Sequence, residues 1–284
     1  MKILILGGSG FIGSHVAEAL SKYNHSVVIY DLKKPEYLKN KYKFVNGSIN
    51  NYKKLDKAIK GSDIIFNFAA LADIDIARYE PELTAKVNIL GSLNVLNLCK
   101  IHKVKVVIHA SSIYADSHEG SFYAISKRAV EDYVQEFKTI YDVDYIILRF
   151  GSLYGYRADG NNGIQRIVDN LNKKNQIIYR GSKKAQRKYI NVVDAAEVCA
   201  KILDKRYYNK CLNITGKKII KIDKVLNFLS KKYNINQITY LNEKNTSHYN
   251  KKPTPYKIRK SEKLIIKKEK KFYESLINLV NINL

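Results

Sequence analysis

Lys2-Ile3-Leu4-Ile5-Leu6-Gly7-Gly8-Ser9-Gly10-Phe11-Ile12-Gly13 decides the fold. An apolar run long enough for one buried strand ends on a glycine loop, and apolar residues at helical spacing from Phe11 to Leu20 predict a helix straight after it. The loop satisfies both Gly-x-Gly-x-x-Gly (Gly8, Gly10, Gly13) and Gly-x-x-Gly-x-x-Gly (Gly7, Gly10, Gly13). Glycines at a strand-to-helix turn let backbone N–H groups and the positive helix end receive a pyrophosphate. Ser26–Tyr30 predicts a second strand, closed by Asp31 about 20 residues after the glycines, where an acid binds the hydroxyls of an adenosine ribose. That carboxylate repels a 2′-phosphate, which favours NAD over NADP. Lys33 and Lys34, immediately after it, are the residues that could hold such a phosphate.

Further strands are expected at Lys43–Val45, Asp63–Phe68, Lys105–His109 and Asp144–Phe150, with helical segments between them. That alternation predicts an α/β fold with a Rossmann-type doubly wound parallel sheet. Past Gly155 the elements shorten, with helices expected at Gly163–Lys174, Val193–Leu203, Asp223–Tyr233 and near the C-terminus. The expected organisation is a Rossmann domain over 1–155, to which 188–215 returns. A smaller, mixed substrate-binding lobe is expected from 156–187 and 216–284, at the carboxyl edge of the sheet where ligands of open α/β sheets bind.

With 284 residues, 45% of them hydrophobic, the chain can bury a sizeable core. Its apolar stretches fall short of the roughly 18 residues of a membrane span, and the N-terminal run is too short for a signal-peptide core. A soluble, unprocessed cytoplasmic protein without membrane contact is expected. Cys99, Cys199 and Cys211 are odd in number and scattered, which suits a reducing compartment and offers neither a disulfide framework nor a metal site. The net charge of +24 invites a nucleic-acid reading. The lysines, however, are spread along the chain rather than gathered around an aromatic-bearing motif. They read as solvated surface, no nucleic-acid partner is expected, and the excess charge would speed encounter with an anionic small substrate.

Tyr123 and Lys127 form the second chemical constellation. Residues four apart share a helix face, so the ammonium can favour the ionised phenol. An unperturbed tyrosine titrates near 10 and needs such help to act as a base at neutral pH. A helix starting near Ser121 follows the strand that leads into Ser111-Ser112, which puts hydroxyls at the same sheet edge as the glycine loop. Either serine could cap a turn or hydrogen-bond a reacting oxygen.

These residues, together with Asn67-Phe-Ala-Ala70 and Asn88-Ile-Leu-Gly91, resemble the extended short-chain dehydrogenase/reductases. Within them, the chain is most similar to the NAD-dependent epimerase/dehydratase group acting on nucleotide sugars. Arg149-Phe-Gly-Ser-Leu-Tyr-Gly155 and Arg187-Lys-Tyr-Ile-Asn-Val-Val-Asp194 extend the resemblance over nearly the whole chain. It implies that Tyr123 is the base, that Lys127 lowers its pKa and holds the nicotinamide ribose, and that Ser112 or Ser111 donates to the reacting oxygen. It implies an NAD site lined by Gly7, Gly10, Phe11, Ile12, Gly13, Asp31, Ser48, Ile49, Phe68, Ala69, Ala70 and Asn88 as well as Tyr123 and Lys127. Ser152, Arg187 and Arg259 would contact the substrate, a UDP-sugar by preference. Helices over Thr84–Ile101 and Phe122–Tyr141 would form a homodimer interface, although their apolar stripes also suit packing on the sheet.

Several residues depart from the group's pattern. Ser48 stands where an acid usually binds the adenine amine, and Ser152 where many relatives have Asn. The Ser111–Tyr114 segment is short by about two residues and lacks the Asp-Glu pair that 4,6-dehydratases carry after their catalytic hydroxyl. Water elimination then has no evident proton carriers. The leading expectation is a nucleotide-sugar 4-epimerase serving carbohydrate or polysaccharide biosynthesis. The alternatives are a nucleotide-sugar dehydrogenase, reductase or 4,6-dehydratase and, more remotely, a non-catalytic NAD-binding regulator.

Overall fold

Short runs of β-branched and leucine residues, buried on both faces, build the parallel sheet. A computed structural model describes residues 1–38, 41–117, 119–241, 261–264, 266 and 268–282. In chain order the first six strands are β1 (Lys2–Leu6), β2 (Ser26–Asp31), β3 (Lys43–Asn46), β4 (Ile64–Asn67), β5 (Val106–Ser112) and β6 (Tyr145–Phe150). They lie in the order β6-β5-β4-β1-β2-β3, and Lys210–Ile214 and then Glu262–Lys263 extend the sheet beyond β6. All seven pairings are parallel. The strand order reverses between β1 and β4, the switch point outside which a ligand crevice opens.

Two apolar layers cover the sheet. On one face α1 (Phe11–Ser21) and the helix Val192–Lys201 contribute Val16, Leu20, Ala195 and Cys199. On the other, the helices Tyr52–Ile59, Gly91–Ile101 and Ser121–Tyr141 contribute Leu55, Val95, Val130 and Phe137. A third cluster lies apart from these and joins the helices Gly163–Lys174, Ile222–Tyr233 and Phe272–Ile282 through Ile167, Leu171, Leu226 and Leu279. Around it lie short strand pairs, parallel for Ile177–Arg180 with Ile238–Leu241 and antiparallel for Gln186–Arg187 with Ile220–Lys221.

Three local features depart from the expected elements. β5 runs on through Ser111 and Ser112, because β6 keeps pairing with it as far as Phe150. The helix expected over Thr84–Ile101 is broken into Pro81–Thr84, a π-helical turn Ala85–Leu90 and Gly91–Ile101. The extra residue of a π turn re-aims its side chains. Here Asn88 turns inward, accepts from Leu71 N at 2.7 Å and donates to Leu71 O at 3.1 Å. Lastly, the C-terminal segment returns to the sheet as the edge strand Glu262–Lys263. Cys99 and Cys199 are buried and Cys211 half-buried, all as free thiols. Among the described residues no helix is long and apolar enough to cross a membrane.

Candidate active site

One cavity of about 680 Å3 runs along the carboxyl ends of the strands, from the glycine loop to the third cluster. At its first end the backbone is shaped for close approach. Gly7 has φ +76°, and a Cβ there would sit 2.7 Å from Ala69 N. At Gly13 a Cβ would collide with the Gly7 carbonyl oxygen. The α1 N-cap is Gly10, which has no side chain to cap the helix, and the first turn carries no acidic residue. The N–H end of α1 is therefore left to a phosphate. Asp31 is fixed at the tip of β2, where its carboxylate accepts from Ser9 N at 2.9 Å and Lys33 N at 3.3 Å. Ser48, Ile49, Phe68, Ala69 and Ala70 complete this wall with Phe11 and Ile12. Asn88 is buried behind it rather than lining it. Its amide is engaged by Leu71 and, at 2.9 Å, by Ser126 Oγ, so it ties the loop after β4 to the helix Ser121–Tyr141.

Tyr123, Lys127 and Ser112 meet at the middle of the cavity. The helix Ser121–Tyr141 starts at Gly120, whose φ of +93° turns the chain and brings Tyr123 over the end of β5. Ser112 stands close enough to the Tyr123 phenol to favour its ionised form. Ser111, one residue earlier, also lines the cavity, but its hydroxyl is committed to Glu131 Oε1, to which it donates at 2.5 Å. That commitment separates two adjacent serines that the sequence leaves equivalent.

Burial dominates the electrostatics here. It pushes the Tyr123 phenol up to about 12, against the effect of the Ser112 hydroxyl, and pulls Lys127 down to about 8, against the attraction of Glu131. Lys127 Nζ donates to Ala110 O at 2.8 Å and lies 5.7 Å from the centre of the Tyr123 ring. Behind these groups sits a buried charge network. Glu131 takes Arg149 Nε at 2.8 Å and a second guanidinium nitrogen at 2.6 Å. The remaining Arg149 nitrogen is paired with Asp116.

The far end is walled by residues of the third cluster's elements. Ser152 and Arg187 line it together with Arg166, Arg180 and Tyr179, which have no motif in the sequence. Arg187 donates to Gln186 O at 3.0 Å and lies close enough to Glu119 to oppose the upward push of burial on that carboxyl. Arg166 and Arg180 stand alone in their segments without a motif, and only the fold brings them to one wall. Arg259 lies outside the described residues.

A glycine loop at a helix N-terminus, an acid at the tip of β2 and a Tyr-Lys-Ser constellation at the switch point of a doubly wound sheet fit an NAD-binding enzyme of the short-chain dehydrogenase/reductase type. The chain belongs to the NAD dependent epimerase/dehydratase family, whose model matches residues 3–214. NAD is its cofactor. Over 238 residues it is 29% identical to a Methanocaldococcus jannaschii protein named provisionally as a UDP-glucose 4-epimerase, covering 76% of this chain and 77% of that one. It is 27% identical over 239 residues to the dTDP-D-glucose 4,6-dehydratase of Mus musculus, covering 75% of this chain and 67% of the other. The fold matches the UDP-glucose 4-epimerase of Thermotoga maritima, solved with UDP-glucose, with a TM-score of 0.83 and 24% identity over 99% of this chain and 98% of that one.

Proposed function

We propose that this protein is a nucleotide-sugar 4-epimerase. The observation that carries the reading is the disposition of carboxylates around Ser112 and Tyr123. Elimination of water needs both an acid and a base beside the sugar. Asp116 and Glu131, the nearest acids of β5's turn and the catalytic helix, are both spent on Arg149. One further acid, Asp75, lines the cavity from the helix packed beside Tyr123; a single carboxyl falls one short of that acid-and-base pair, and what is left is proton exchange with a single sugar hydroxyl.

Tyr123 takes the proton of the C4 hydroxyl and later returns it, so the cycle ends with no net proton change. Ser112 donates a hydrogen bond to the C4 oxygen while its bond order to carbon rises and falls. Lys127 supplies a positive charge beside a phenol that burial otherwise keeps protonated. Gly7, Gly10, Gly13 and Asp31 would hold NAD, which when bound supplies the hydride acceptor for C4 and the donor that reverses the oxidation. Arg187 and the neighbouring arginines suit a diphosphate, and a UDP-sugar is the favoured substrate. Between the two half-reactions the 4-keto sugar must turn so that its other face meets the cofactor's side of the pocket while the C4 oxygen stays within reach of Tyr123, which a cavity of about 680 Å3 gives it room to do.

The test is mass spectrometry with proton NMR on the purified chain mixed with UDP-, GDP-, dTDP- and CDP-sugars. An unchanged mass with a new configuration at C4 is expected. Loss of water would replace the epimerase by a dehydratase, and a two-hydrogen change by a dehydrogenase.

A homodimer through the two helices is proposed with it. Leu90, Ile101, Phe122, Ile125 and Ile140 are each at least 42% exposed on these segments, a spread of large apolar groups that a partner would cover. A single-chain mass by light scattering at micromolar concentration would remove this part of the proposal.

A further inference from the structure

Charge is sorted by element along the cavity. The arginines at its far end, Arg166, Arg180 and Arg187, all come from the elements around the third cluster. The lining acid Asp75 comes instead from a helix that packs against Tyr123. Its placement follows from packing. Asp75 belongs to the short helix Ile74–Tyr79, and Ile74 and Ala77 of that helix share an apolar cluster with Tyr114, Tyr123 and Ala124. That cluster holds the helix against the one that carries Tyr123, and Asp75, half-buried, lines the cavity from it. Capping of this helix is done by Asp73, whose Oδ1 accepts from Ile76 N at 2.8 Å. Among the described residues Asp75 takes no hydrogen bond or ion pair of its own. The other lining acids lie elsewhere, Asp31 against the glycine loop and Asp159 in the turn before the helix Gly163–Lys174.

A sugar with its C4 hydroxyl on Tyr123 and Ser112 carries its C6 group on the adjacent carbon, at the same end of the cavity. A hydroxymethyl there can donate a hydrogen bond to Asp75. A carboxylate brings a second negative charge next to an unneutralised one in a partly enclosed site, where like charges a few ångströms apart cost on the order of tenfold or more in binding. We propose that Asp75 is a specificity-determining residue that selects nucleotide sugars with a neutral C6 group and rejects uronates. The inference rests on the 4-epimerase reading given above.

The experiment compares kcat/KM for UDP-glucose and UDP-glucuronate on the full chain with NAD, in the wild-type protein and in Asp75→Asn. The expected result is a preference for UDP-glucose of at least about tenfold that shrinks by about tenfold in the variant. Equal or better use of UDP-glucuronate by the wild type overturns the inference and leaves the epimerase standing, as does a ratio that Asp75→Asn leaves unchanged. If neither sugar turns over, the epimerase reading falls, and calorimetric binding of both to Tyr123→Phe decides the specificity. Tighter binding of UDP-glucose, relaxed in a Tyr123→Phe, Asp75→Asn double variant, sustains the role of Asp75. Equal affinities, or no binding of either, overturn it.

Discussion

Replacing Glu131 by Gln asks whether the buried charge network sets the proton affinity of Lys127. Glu131 lies one helical turn beyond Lys127 on the same face and is fully buried. Burial pulls Lys127 down to about 8, and the Glu131 charge is what works against that pull. The variant removes this support and leaves Arg149 as a cation balanced by Asp116 alone. For charges ~7 Å apart at an effective dielectric of ~20, the lost attraction is ~2 kcal/mol, or more than one pKa unit. Lys127 is then pulled lower still, so it loses its proton earlier as pH rises. In the wild type the alkaline limb of kcat/KM is expected near pH 8, where Lys127 discharges; in Glu131→Gln it moves down by about one unit or more. Gln keeps the shape and can still accept from Ser111 and Arg149, so the stability loss is held to roughly 1–3 kcal/mol and the fold survives for the assay. The measurement is a pair of pH profiles with thermal unfolding run alongside. An alkaline limb that stays in place, or moves up, would refute the coupling.

Arg149→Met leaves Glu131 and Asp116 buried without their cation and is expected to cost about 3–5 kcal/mol, read as a fall in Tm. A loss under about 1 kcal/mol would mean that the network is no part of the fold's stability. Tyr123→Phe deletes the phenol oxygen while keeping the ring, so turnover should fall by about 10²–10⁴-fold with NAD still bound, as monitored by cofactor fluorescence; wild-type turnover would remove Tyr123 from the chemistry. In Gly13→Ala the new methyl collides with the Gly7 carbonyl and sits 2.9 Å from Gly8 Cα. NAD affinity in a fluorescence titration should then drop at least about tenfold through loss of the helix-end phosphate site, and unchanged affinity would contradict that placement. Asp31→Asn weakens NAD binding by roughly 1.5–3 kcal/mol for a charged hydrogen bond and narrows the preference over NADP, which competitive titration of the two cofactors measures.

The middle of the sheet was readable because strands such as β1 and β4 bury both faces and so appear as apolar runs, as in Ile3-Leu4-Ile5-Leu6, whereas the edge strand Glu262–Lys263 is exposed and carries no such signal. The helix Gly163–Lys174 matches its expected bounds for a related reason, since Ile164, Ile167, Val168 and Leu171 recur at helical spacing and all are buried. Tyr123, Lys127 and the glycine loop could be found because each chemistry sits inside one short segment with fixed spacing. Features assembled across the chain left no such trace. Arg149 reaches Glu131 and Asp116 over 18 and 33 residues of sequence, and Arg166, Arg180 and Arg187 meet only through tertiary packing. The choice between Ser111 and Ser112 depended on which hydroxyl Glu131 claims, a contact set by tertiary packing rather than by local composition. The π turn at Asn88 likewise reflects a side chain answering to Leu71 and Ser126, a demand invisible in the spacing of the helix itself. For the phenol, the helix pattern gave Lys127 as neighbour, but the depth of burial that raises its pKa is a property of the packed molecule.

The path of the chain between the sheet and the third cluster has a consequence for how the molecule comes apart. After β6 the chain leaves the sheet, comes back for Lys210–Ile214, leaves again for Ile222–Tyr233, returns at Glu262–Lys263 and departs a last time into Phe272–Ile282. Each passage threads one body through the other's hydrogen bonds, so no single peptide-bond cleavage yields two pieces that each contain a whole core. Strands from the far end of the sequence must arrive before the sheet is finished, and the loop-closure entropy of those late pairings is recovered only when both bodies consolidate. The third cluster and the elements around it are therefore not a module that can be trimmed, swapped or grown independently. Their evolution is tied to the same strands that carry the cofactor crevice, and a change of specificity is expected to come through side chains on the cavity walls rather than through exchange of those elements.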